Sequence, residues 1–220
     1  MQLAHAFAAG ALVGIPLTST PVHAGEPAPP TDLAGGIDLS NDMVAPLPDA
    51  LPVGDLTRGK RQGEDVIYIN MDGVNLTSGQ EDAKTDSSRI CGGAFPPYGE
   101  GQKREAMLQA THKDWDRYNV TIVTDRPDSG EYTMAVVSNV PTSECQYNQR
   151  GTLGIAPVDC GNRDSSSVVF AFVEANDEHD ANVQATVISQ EIAHSYGLEH
   201  TMNNDGIMNP FPGSADPYFE

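Results

Sequence analysis

The chain has 220 residues, 39% of them hydrophobic, with 31 acidic against 12 basic side chains and a formal charge of −19 at pH 7. That length holds one domain of ordinary size plus a non-core extension. So acidic a surface excludes nucleic acid and anionic membranes as partners and suits a soluble exported protein.

Residues 1–24 read as an export signal. Ala6 to Leu17 form a short apolar stretch interrupted by Gly10, Gly14 and Pro16, and Val22-His23-Ala24 before Gly25 resembles a signal-peptidase site, although no lysine or arginine precedes it. The stretch is too short to span a membrane, and no other segment is apolar for long enough, so stable membrane insertion is not expected. Residues 25–62 are rich in proline, glycine and aspartate without helical or strand periodicity. They read as a flexible linker or short prosegment, with Asp32, Asp38, Asp42, Asp49 and Asp55 as its carboxylates and a solvated leader as the simplest role.

From residue 63 onward the elements follow a regular order. Asp65 to Met71 is β-branched and aromatic, a strand ended by Asp72-Gly73. A polar loop with Gly92-Gly93 and Pro96-Pro97 turns follows. Residues 101–118 carry Leu108, Thr111, Trp115 and Tyr118 at helical spacing, and Val120 to Thr124, Tyr132 to Ser138 and Ser167 to Val173 suit strands covered by helices. Thr152 to Ala156, just before Pro157, has the form of an edge strand. Residues 180–197 make a last helix, with Val183, Val187, Ile188 and Ile192 on its buried side.

Three cysteines are present, Cys91, Cys145 and Cys160. In an exported protein the most economical bridge joins Cys145 to Cys160, closing a loop of about 15 residues worth roughly 3 kcal/mol. Cys91 is then a free thiol, an alternative partner or an intermolecular link.

The last helix carries the chemistry. Side chains four apart share a helix face, so positions 190 and 194 can address one ion, and Glu191, about 100° around, can reach a water beside that ion without being a ligand. Gly197 permits a left-handed turn that ends the helix and brings His200 back toward the same point. The whole string, Gln190-Glu191-Ile192-Ala193-His194-Ser195-Tyr196-Gly197-Leu198-Glu199-His200, is followed by Met208 within Asp205-Gly206-Ile207-Met208-Asn209-Pro210. It resembles the H-E-x-x-H-x-x-G-x-x-H motif and methionine turn of the metzincin clan of zinc endopeptidases, and the order of elements extends the resemblance over roughly residues 63–210.

The resemblance implies an α+β fold: a twisted, mostly parallel sheet, a backing helix, an active-site helix and a small irregular C-terminal subdomain, as one domain over 63–220. It implies Zn2+ held by His194, His200 and the residue at position 190, with Glu191 as general base for a water that attacks a peptide or protein substrate. Met208 would lie beneath the ligands, and Leu153, Gly154 and Ile155 would form the strand that borders the cleft and pairs with substrate backbone. The chain departs from the pattern in three places. Gln190 stands where the first histidine belongs, Pro210 where some members carry a tyrosine, with Tyr218 as a remote substitute, and only ten residues follow Pro210 where a further helix is usual.

Gln190 admits three readings: a weak oxygen ligand in an active enzyme, the mark of a pseudoprotease that keeps the fold, or a gap filled by His179 or His112. Two functions follow. One is a secreted zinc endopeptidase, monomeric in the absence of heptads or repeats; the other is a catalytically silent protein that holds peptides in the same cleft.

Overall fold

The computed structural model describes residues 65–138, 145, 152–172, 179–210 and 217–219, together with the backbone of 43–45. The export signal expected over 1–24 lies outside the described residues, as does most of the segment 25–62. Among the described residues no helix is long and apolar enough to cross a membrane.

Among the described residues the fold is mixed, with one largely parallel sheet and two helices. Its strands are β1 (Met43–Ala45), β2 (Asp65–Asn70), β6 (Val120–Val123), β7 (Thr133–Ser138), β8 (Gly154–Pro157) and β9 (Val168–Phe172), in the order β1-β8-β9-β7-β2-β6. β6, β2, β7 and β9 run parallel, and β8 returns antiparallel to β9. Helix α1 (Gln102–Trp115) connects β2 to β6, and α2 (Ala181–Ser195) follows β9.

The central strands read as continuous apolar runs because both faces of the sheet are covered. Alternation sorts their residues. Ile67, Ile69, Ala135, Val137, Val169 and Ala171 join Val187, Ile188 and Ile192 of α2 and Met107 and Trp115 of α1 in one cluster, whereas Tyr68, Met134, Val136, Val168 and Phe170 form a second. That second cluster is closed by residues of the polar loop, among them Leu76, Ile90 and Phe95. The loop is therefore more ordered than its composition suggests: β3 (Val74–Ser78) pairs parallel with β4 (Ser87–Ser88) and antiparallel with β5 (Gly93–Phe95). Its anchor is Glu81, whose carboxylate accepts from the backbone N–H groups of Arg89 and Val168 and from the Arg89 guanidinium. Burial pushes the Glu81 carboxyl up, and those hydrogen bonds act against it.

Three expectations change. First, the strand around Gly154 is not the sheet edge: β1, from the segment read as an aperiodic linker, pairs parallel with β8 in the register Met43 to Ile155, Val44 to Ala156 and Ala45 to Pro157. A three-residue strand is too short for a periodicity signal. Second, α1 stops at Trp115, Met107 joins Thr111 as a fully buried position while Leu108 is only partly buried, and Tyr118 is exposed beyond the helix.

Third, the bridge expected between Cys145 and Cys160 is replaced by Cys91–Cys145, 54 residues apart in sequence, and Cys160 is an exposed free thiol. Cys91 and Cys145 face each other as a backbone bridge pair inside the second cluster. Proximity along the chain misled because Cys160 lies against the Gly197 turn, while Cys91 and Cys145 meet in the second cluster. On the loop-entropy argument this bridge is worth about 4 kcal/mol. Replacing Cys91 and Cys145 by alanine should lower the unfolding free energy in urea by about that amount, and Cys160→Ala should change it by less than about 0.5 kcal/mol.

Candidate metal centre

Helix α2 begins at Asp180, whose carboxylate accepts from the Val183 N–H at 3.0 Å. Its buried stripe is not apolar throughout. Gln190 and Glu191 are 0% exposed and His194 is 1% exposed, beside the wholly buried Val187, Ile188 and Ile192. Three adjacent buried polar side chains are costly in a core unless their polar atoms have something to bind.

The helix ends as the sequence predicts. Gly197 takes φ +89°, its N–H donates to His194 O at 2.9 Å, and the Leu198 N–H reaches back to Ala193 O at 3.1 Å, a Schellman turn. A side chain at Gly197 has no room either, since a Cβ would lie 2.6 Å from Asp159 O. The turn places Leu198 O 2.6 Å from His194 Nδ1. An N–H at Nδ1 satisfies that carbonyl, and Nε2 is the ring nitrogen turned away from it. That nitrogen points at His200, whose Nε2 lies 3.2 Å away, with the two rings edge to face.

That separation is within hydrogen-bond range, and it is also close to the spacing that one shared ion would require. Two nitrogens each about 2.0–2.1 Å from one tetrahedral ion lie roughly 3.3 Å apart. Gln190 completes the arrangement differently from a histidine. Its amide Nε2 donates to Ile207 O at 2.8 Å and to Asn209 O at 3.1 Å, tying α2 to the turn that carries Met208, while its Oε1 is buried without a hydrogen bond. A buried carbonyl oxygen left without a hydrogen bond is one that a cation could satisfy. Two imidazole nitrogens and one neutral oxygen, if they shared an ion, would suit zinc but hold it more weakly than three histidines would.

The turn at Met208 is braced from several sides. Thr201 N donates to Met208 O, Asn209 Nδ2 to Asn203 O, and Ile207 N to Tyr218 O. Met208 is 4% exposed within the helix-side cluster, and Pro210 is buried. Tyr218 is held through its backbone with its ring half exposed, and the next residue, Phe219, packs on Trp115 at 4.6 Å. Tyr218 and Phe219 thus fasten the methionine turn to α1.

Neither histidine of the third reading, His112 or His179, stands with the pair. Among the described residues no third histidine, cysteine or carboxylate gathers with His194 and His200. His112 is exposed on α1, and His179 precedes α2, roughly 20 Å from His194 along the helix axis. Two contacts went unread in the sequence: the paired bonds from Gln190 to the methionine turn, and the approach of Glu191 to β8, where a Cβ on Gly154 would meet the Glu191 carboxylate. Neither leaves a local signal, since each joins residues distant in sequence.

Gln190→Leu keeps the volume and removes the donor, leaving two buried carbonyls unsatisfied. It should destabilise the fold by about 1–3 kcal/mol, read by urea denaturation without metal.

No family model matches the sequence, and no curated protein matches it. Among solved structures the chain is similar to metalloproteinase-II from Bacteroides fragilis, at 11% identity and a TM-score of 0.38. The match covers 74% of this chain and 51% of the other, so the chain spans about half the length of that protein.

Proposed function

We propose that this chain is an exported zinc-dependent endopeptidase of the metzincin type, in which the side-chain carbonyl of Gln190 stands in for the first histidine ligand. The observation that carries the reading is the 3.2 Å convergence of His194 and His200 Nε2, with His194 oriented by Leu198 O. The order of strands and helices, with the antiparallel β8 beside the motif helix, supports it. A disulfide suits an oxidising compartment and supports export.

Bound zinc would supply a Lewis acid and lower the pKa of a water toward 7. The remaining work belongs to the chain. Glu191, adjacent to the ligands but on a different helix angle, accepts a proton from the attacking water and returns it to the leaving amine. Burial of Gln190, Glu191 and His194 keeps competing solvent from their polar atoms. The outer side of β8 receives an extended peptide through its main chain, and the pairing of Met43–Ala45 there is an example of the contact. A substrate must take the place of β1, so β1 and substrate compete.

Gln190 alone favours a second reading, a silent protein that holds peptides along β8. Zinc content separates the two. The chain from Gly25, purified without chelator, should carry close to one zinc, and His194→Ala should carry none. Gln190→His should tighten zinc at least about 10-fold and raise peptide hydrolysis in step. No zinc above the His194→Ala blank, with no hydrolysis gained by Gln190→His, would leave the peptide-holding reading.

A further inference from the structure

We propose that Gly154 is a positioning residue for Glu191: the missing side chain in β8 is the seat of the Glu191 carboxylate. The inference rests on the peptidase reading of Glu191 and adds a residue to its machinery. A Cβ built on Gly154 lies 2.2 Å from Glu191 Oε1 and 2.6 Å from both Cδ and Cγ, well inside van der Waals contact. Conformation does not call for glycine here. Gly154 is absent from the left-handed residues of the chain and lies in an ordinary strand pairing with Ala171.

Space is therefore the reason, and something must yield if it is filled. β8 cannot retreat easily, being bonded to β9 on one side and β1 on the other, with the Leu153 carbonyl accepting from Phe172 N at 2.7 Å. The α2 backbone is fixed at its C-terminal end by the Gly197 turn against Asp159. Alternation along β8 agrees with this placement: Ala156 belongs to the helix-side cluster and Ile155 to the opposite one, so position 154 also faces α2. The flexible group in the contact is the Glu191 side chain, which is fully buried and has no solvent to withdraw into. An added methyl shifts the carboxylate and leaves His194 and His200 in place.

Two measurements on the full chain test this. The first is a thermal-melting cycle without metal. Gly154→Ala should lower Tm by roughly 3–6 °C, and Glu191→Ala, which removes Cγ, Cδ and both carboxylate oxygens, should recover most of that loss in the double variant. Additive Tm changes would overturn the proposal. The second is hydrolysis by the zinc-loaded chain. Gly154→Ala should lower kcat by about 10-fold or more, within the range a general base contributes, while KM and zinc stoichiometry change less than about twofold. An unchanged kcat would overturn Gly154 as a positioning residue and leave the peptidase reading intact. Should the parent chain not hydrolyse peptides, it is the peptidase reading that fails, and the melting cycle decides the packing by itself.

Discussion

The turn at Gly197 is the constraint on which the site depends. A helix carries two residues at positions i and i+4 on one face, but a third ligand beyond the helix end requires the chain to reverse sharply. With φ at +89° and no side chain against Asp159, Gly197 makes that reversal, and one hydrogen-bonded turn does two jobs. It delivers Leu198 O to His194 Nδ1 and brings His200 Nε2 to His194 Nε2. A Cβ at position 197 would strain the backbone and collide with Asp159 together, so both imidazoles lose their alignment from a single change.

Gln190 keeps one half of what a histidine does at this position and weakens the other. A ring nitrogen of a ligating histidine commonly donates to a backbone carbonyl while the other binds the metal. Here the amide nitrogen performs the donor role twice over, toward Ile207 and Asn209, and the carbonyl oxygen, buried without a hydrogen bond, is the atom the proposed site would use. The methionine turn is thus held to α2 whether or not metal is bound. The fold can persist with the site empty, which is why stability and zinc affinity are separable at this residue.

What could be read from sequence is what is local. The spacing of Glu191, His194, Gly197 and His200 encodes a helix face and a turn, and the order of apolar segments placed the four parallel strands and both helices within a few residues. Contacts between distant segments were illegible for a physical reason: they depend on where the sheet sets its strands. The cysteine pairing failed on this ground, because sequence distance favoured Cys160 while the fold brought Cys91 to Cys145. β1 gave no signal in three residues, and Gly154 reads as an ordinary strand glycine until Glu191 is seen against it.

The central claim is that Gln190 Oε1 and the two imidazoles share one ion. Crystals of the full chain soaked with zinc and measured on both sides of the zinc absorption edge test it directly. The account predicts one anomalous peak about 2.0–2.2 Å from His194 Nε2, His200 Nε2 and Gln190 Oε1. A peak bound by the two histidines with Gln190 turned away, or no peak between them, would contradict it.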